Sequence, residues 1–232
     1  MNEKDISEVI AIDGPAASGK SSVAKSLADF FSISYINTGN MYRAVTFAAL
    51  TKGIFIDNTE IDEKKLEKLL NDMDINYEKN SEGLLVLTLN GKNIEKEIRS
   101  PAVAAKVTLV AAIPFVRKWL VDKQREFASD RMIVMEGRDI GTVVFPQAKY
   151  KFYLTASPEV RALRRLEQKG EVYDGATLDS VAASIKLRDE QDMNRKVSPL
   201  RMADDAILID SSNKTLLEVL DLIIDEINRK RN

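Results

Sequence analysis

The run Gly14-Pro15-Ala16-Ala17-Ser18-Gly19-Lys20-Ser21 constrains the fold of this chain more than any other feature. It fits the pattern G-x-x-x-x-G-K-[ST] and stands in the context that gives the pattern meaning. Before it, Val9-Ile10-Ala11-Ile12 reads as a short buried strand. After it, Ser21 to Phe31 carries apolar residues at Val23, Ala24, Leu27, Ala28 and Phe31, which is helical spacing. Small residues let such a turn curl until its N–H groups converge on one concavity, and the following helix adds the positive end of its dipole. The product is a phosphate cradle. Gly14, Pro15, Ala16, Ala17, Ser18, Gly19, Lys20, Ser21 and Ser22 are therefore the expected triphosphate-binding residues. Lys20 reaches the β- and γ-phosphates, and the Ser21 hydroxyl is the candidate ligand for Mg²⁺. The plainer alternative is a glycine-containing turn with an exposed lysine.

Downstream, strands and helices alternate. Ser34-Tyr35-Ile36 reads as a strand, and Met41 to Lys52 as a helix stopped at Gly53. The rhythm then breaks. Asp62 caps a helix with the stripe Leu66, Leu69, Leu70 and Met73; Ile75-Asn76-Tyr77 and Leu84 to Leu89 are strands; Asn90-Gly91 signals a hairpin. Residues 57 to about 108 are read as an inserted antiparallel subdomain. The alternation returns with a helix from Val116 to Ala128 and strands at Met132-Met135 and Lys151-Leu154. Ser157-Pro158 opens a helix, with Ser capping and Pro at the first helical position. Lys169 to Ala176, which holds two glycines and several charges, reads as a mobile loop. Thr177 opens a helix reaching about Arg195, Ala206-Ile209 is the last strand, and Leu216 to Ile227 carries the stripe of a closing helix. The fold class that follows is α/β, a three-layer core with a parallel sheet covered on both faces.

Composition narrows the chemistry. The 232 residues contain no His and no Cys, which excludes the usual general base, a Ser-His-Asp triad, thiol catalysis and thiolate metal sites. The formal net charge of -2 supplies no global field to draw in a nucleic acid polymer or an anionic membrane. No apolar stretch approaches the roughly 20 residues that span a bilayer. The polar start, Met1-Asn2-Glu3-Lys4-Asp5, is unlike a signal peptide, so a cytoplasmic protein is expected. A guanine reader of the form Asn-Lys-x-Asp is missing, since Asn213-Lys214 runs on into Thr215-Leu216, and no apolar strand ends in the Asp-Glu pair common in motor ATPases.

A phosphoryl transferase needs cations around two polyphosphate partners, and arginine is the preferred clamp. Arg138 and Asp139 follow a strand at its carboxyl end, where open α/β sheets bind ligands, with Gly137 beside them for close backbone approach. Thr38 is placed to cap the helix that carries Arg43. Arg188, Asp192 and Arg195 are spaced to share one helix face, and Arg161, Arg164 and Arg165 lie on the helix before it. Each group has a plain reading too: a turn with a local ion pair, a capping Thr with a solvated Arg, a solvated salt-bridge face. Two Arg-bearing helices joined by a Gly-containing loop can instead close over phosphates as a lid.

Together the phosphate loop, Thr38-Gly39-Asn40-Met41-Tyr42-Arg43, Glu136-Gly137-Arg138-Asp139-Ile140-Gly141-Thr142-Val143-Val144-Phe145-Pro146 and Arg188-Asp189-Glu190-Gln191-Asp192-Met193-Asn194-Arg195 resemble the bacterial-type cytidylate kinases. The likeness runs over nearly the whole chain. It implies a core at 1–36, 109–156 and 177–232, a monophosphate-binding domain with the antiparallel insertion at 37–108, and a lid at 157–176. It implies transfer of the γ-phosphoryl group of ATP to CMP or dCMP, with Mg²⁺, by a monomer. Lys20, Arg138 and Arg188 match catalytic positions. Thr38, Arg43, Thr108, Arg117, Arg138, Asp139, Arg188, Asp192 and Arg195 match the CMP site. There Thr108, Arg117 and Asp139 would read the cytosine edge, Arg43 and Arg138 hold the acceptor phosphate, and Arg188 and Asp192 reach the sugar. Thr38 and Thr108 stand where some relatives have Ser, and Glu136 where some have Asp. Another small-molecule or nucleoside monophosphate kinase, or a nucleotide-dependent switch without an acceptor, are the alternatives.

Overall fold

A computed structural model describes residues 9–231 except 58, 82–84, 129–131, 169–171 and 173–174. The polar start, Leu84 and most of the loop expected at 169–176 lie outside the described residues.

The core is a five-stranded parallel sheet in the order β2-β6-β1-β7-β8. Its strands are β1 (Val9–Asp13), β2 (Ser34–Asn37), β6 (Ile133–Gly137), β7 (Tyr150–Thr155) and β8 (Ile207–Asp210). The central strand β1 pairs Asp13 with Gly137 of β6 on one side and with Tyr153 of β7 on the other. The chain leaves β1 toward β2 on one side and later crosses from β6 to β7 on the other, so β1 ends at the point where such sheets open a ligand crevice. Every residue of β1 and β6 is buried because helices cover both faces, which explains the unbroken apolar runs. Ile10, Ile12, Val134 and Phe152 pack with α1 (Lys20–Phe31) and α8 (Leu216–Arg231). Val9, Ala11, Ile133 and Met135 pack on the opposite face with Val121 of α5 (Pro114–Glu126). Burying each such side chain contributes about 1.5–3 kcal/mol.

A second cluster joins α2 (Thr38–Thr51), α3 (Glu63–Asn71), α4 (Pro101–Ala111), α5 and a three-stranded antiparallel sheet. That sheet is β3 (Ile75–Lys79), β4 (Leu85–Leu89) and β5 (Lys92–Asn93). Its tight turn is Asn90-Gly91, with φ of 50° and 72°, the left-handed geometry that Asn-Gly favours. Asp62 caps α3 by accepting from the Lys65 N–H, as the sequence indicates.

Two expectations are corrected. The second helix begins at Thr38, not Met41, and its cap is Asn37, whose side chain accepts from the Asn40 N–H; Thr38 is already inside the helix. The helix α4 has no counterpart in the sequence reading. It is capped by Ser100 and carries Pro at its start, but its alanines and valines form no amphipathic stripe against polar residues.

The remaining helices are α6 (Pro158–Glu167), capped by Ser157, and α7 (Leu178–Asn194), capped by Thr177. No helix of the described residues is long and apolar enough to cross a membrane.

Candidate active site

The loop after β1 can close only because Gly14 has no side chain. Its φ is 149°, and a Cβ there would lie 2.0 Å from the Leu154 carbonyl oxygen. Lys20 is buried, not exposed, which removes the plain reading of the motif. Its ammonium donates to the Pro15 carbonyl at 2.6 Å and to the Ser18 hydroxyl at 3.2 Å. Burial, and next the guanidinium of Arg138, hold its pKa well below the usual lysine range. Ser21 and Ser22 are exposed at the start of α1.

The loop is anchored by residues far along the chain. The Ala16 N–H donates to Asp189 at 3.0 Å. Arg161 pairs with the same carboxylate and donates to the Ala16 carbonyl at 3.2 Å. Arg164 holds the Ser211 hydroxyl and carbonyl, each at 2.9 Å. Asp189 and Arg161 thus tie α7, α6 and the loop together. The sequence reading named Arg161 and Arg164 only as lid charges and assigned Asp189 no role.

The acceptor side forms a connected chain of charge. Arg117, 2 % exposed, donates to Asp139 at 2.5 Å and to the Ala111 carbonyl at 3.1 Å, and its guanidinium lies 5.1 Å from the Tyr42 ring centre. Arg195 stands 3.9 Å from the other oxygen of Asp139 and 3.4 Å from Asp192. Asp192 accepts from Arg138 at 2.9 Å. Although burial would raise it, Arg138, Arg188 and Arg195 hold Asp192 below the usual carboxylate range. Asp192 is buried, so the plain reading of a solvated salt-bridge face fails as well. Arg188 on α7 is pulled down to about 10, first by burial and then by Arg138, with Arg43 and Arg165 adding to the effect. Asp192 draws Arg188 the other way.

Thr38, Arg43 and Thr108 complete the set. The Thr38 hydroxyl donates to the Glu136 carbonyl at 2.8 Å, and the close approach requires Gly137, where a Cβ would lie 2.7 Å from that hydroxyl. Arg43 is buried and reaches the Ile98 carbonyl at 3.1 Å. Thr108 on α4 faces α7 across a cavity of ≈ 800 Å³, which Ala16, Arg188, Asp192 and Arg195 also line. Glu136 accepts from the Tyr35 hydroxyl and, at 2.7 Å, from Asn37. Three polar atoms around Asp139 are buried without a hydrogen-bond partner among the described residues: the Tyr42 hydroxyl, Arg117 Nε and Arg195 Nη2. Such atoms are costly unless a ligand satisfies them.

A hard, oxygen-seeking cation fits this donor set, which offers the Ser21 hydroxyl and nearby carboxylates but no nitrogen or sulfur ligand. Among the described residues no group of three acidic side chains could hold a metal alone.

A phosphate loop at the end of a central parallel strand, facing a cluster of arginines, defines a nucleotide-binding α/β protein of the phosphoryl-transfer class. The cytidylate kinase family model matches residues 10–229, and the chain belongs to that family. It is 49% identical over 211 residues to the cytidylate kinase of Parabacteroides distasonis, covering 90% of this chain and 92% of that protein. It is 46% identical to that of Clostridium botulinum strain Loch Maree over 95% of this chain and 97% of that one. A solved structure of an uncharacterized protein from Eubacterium ventriosum shares the fold, with a TM-score of 0.53 at 15% identity, over 96% of this chain and 99% of that chain.

Proposed function

We propose that the chain transfers the γ-phosphoryl group of ATP to CMP or dCMP, giving ADP and CDP or dCDP. The observation that carries this reading is the run of buried ion pairs Arg117–Asp139–Arg195–Asp192–Arg138, whose Asp192 and Arg195 line one cavity with Ala16 of the phosphate loop.

An acceptor phosphate oxygen attacks the γ-phosphorus, the bond to the β–γ bridging oxygen breaks, and its electron pair leaves with ADP. The second pKa of a phosphate monoester is about 6, so the nucleophile is already an anion at neutral pH. No general base is required, which accounts for a kinase without histidine. The loop from Gly14 to Ser22 holds ATP. Lys20, Arg138 and Arg188 neutralise the group in flight, and Arg43 with Arg138 aims the acceptor phosphate. Ser21 would hold Mg²⁺, which when bound with ATP neutralises charge on the β- and γ-oxygens. Thr108, Arg117 and Asp139 face the base, with the unpartnered atoms of Tyr42, Arg117 and Arg195 supporting a polar occupant there. Arg188 and Asp192 reach the sugar, and Thr38 and Arg195 complete the CMP site. The segment 157–176 acts as a lid over the phosphates, and 37–108 as the acceptor-binding domain. The reading takes the enzyme as a monomer.

The test is an ADP-release assay across CMP, dCMP, UMP, AMP and GMP. CMP and dCMP are the expected acceptors, and preference for AMP, GMP or a non-nucleotide would overturn the reading.

A further inference from the structure

Asp13 is the last residue of β1, directly before the phosphate loop, and it is buried. Its carboxylate does not face the loop. One oxygen accepts from the Ile140 N–H at 2.8 Å and the other from the Gly141 N–H at 2.7 Å. These are the first two residues of the short π-helical turn Ile140–Val144, which follows Arg138 and Asp139 without a break. Arg125 holds the other end of the turn, donating to the Val144 and Val143 carbonyls at 3.0 and 2.9 Å. The turn that carries two acceptor-site residues is therefore clamped at both ends, and at one end the clamp is the strand that feeds the ATP site.

The geometry assigns to Asp13 the role of a positioning residue: its ionised carboxylate fixes the Arg138-Asp139 turn to the phosphate-loop strand and so sets the acceptor in register with the triphosphate. The inference rests on the kinase reading above. A carboxylate accepts from both N–H groups. A neutral carboxyl keeps one acceptor oxygen and sets its hydroxyl against the other N–H, which loosens the turn. The proton is within easy reach. Burial raises the Asp13 carboxyl to about 7, and Asp139 adds to the rise, against the two amides and Lys20, which lower it. Tyr153 on β7 senses the Asp13 charge, and the Lys151 stem packs on Gly141 beside it. Acceptor binding should therefore weaken as the medium is acidified through neutrality, while ATP binding to the loop holds.

The experiment compares wild type with Asp13→Asn in steady-state kinetics from about pH 5.5 to about 8.5, varying CMP at saturating ATP and then the reverse. Asn keeps the size and one acceptor oxygen but sets an amide against the second N–H, so it imitates the neutral acid. The ratio of wild-type to variant kcat/KM for CMP should be about tenfold or more at high pH and fall toward one at low pH, with a midpoint near 7. The ratio for ATP should stay within about twofold. The ionisation of CMP itself acts on both proteins and cancels in the ratio. A ratio that ignores pH, or equal losses for the two substrates, would overturn the assignment. If the variant does not fold, carbon-13 NMR of the wild-type Asp13 carboxyl and hydrogen exchange at Ile140 and Gly141 decide instead. Amide protection lost in step with an ionisation near 7 is expected; a carboxyl that titrates in the ordinary range near 4, or protection indifferent to it, is the contrary result. If the acceptor panel picks a substrate other than CMP, the kinase reading changes while the same ratio is read with that substrate.

Discussion

Lys20 is buried, bonded to its own loop and next to Arg138. Lys20→Ala should lower kcat by about 10²- to 10³-fold by removing charge stabilisation in the transition state. Thermal unfolding should remain cooperative, and unchanged turnover would contradict the loop assignment. Asp139 differs, since Arg117 and Arg195 both depend on it. Asp139→Asn should weaken CMP by about 1–3 kcal/mol and leave the KM for ATP unmoved, as acceptor-varied and donor-varied kinetics would show. At this scale the sequence displayed Lys20 through a local pattern and the acceptor arginines through resemblance. It could not display Asp13, whose turn partner Ile140 lies 127 residues away, or Asp189, which holds the Ala16 amide across 173 residues. The capping role fell to Asn37 instead of Thr38 because the Glu136 carbonyl engages the threonine hydroxyl, a contact across 98 residues.

Among the elements, those announced by turn and cap chemistry were legible: α1 behind its glycine loop, α3 behind Asp62, α6 behind Ser157-Pro158 and the Asn90-Gly91 hairpin. The helix α4 was not, because its exposed positions Ala102 and Ala105 are apolar too, so the buried stripe of Val103, Val107, Val110 and Ala111 has no polar face to contrast with. The hairpin gives a clean test of local backbone chemistry. Gly91→Ala places a Cβ at φ 72° and should cost about 1 kcal/mol, lowering Tm by roughly 2–4 °C with kcat unchanged. Loss at α7 should be larger. Asp189→Ala strands the buried Arg161 and should cost about 3–5 kcal/mol in chemical denaturation. It also frees the Ala16 amide, so the KM for ATP should rise more than that for CMP.

For the whole molecule, stability and acceptor binding should respond to pH in opposite directions through Asp13. Its pKa is about 7 in the folded chain against an ordinary 3.8, so between those values the folded state binds more protons. On this account stability is greatest at low pH and declines as pH rises through neutrality, by at most roughly 4 kcal/mol. Asp192, held below its ordinary value, contributes in the other sense, and its share is lost as pH falls through that depressed pKa. Urea unfolding of wild type should show a lower midpoint at about pH 8 than at about pH 6 on the Asp13 account, and Asp13→Asn should flatten the difference. Such a charge is kept at a cost because two sites must share one frame: a glycine-lined cradle after β1 and the Arg138-Asp139 turn after β6, joined through the sheet. The most direct test of that arrangement is to follow γ-³²P-labelled ATP with CMP and the purified chain. Label appearing in CDP, with little free phosphate, is the predicted result; label released as inorganic phosphate at a rate that CMP does not change would contradict it.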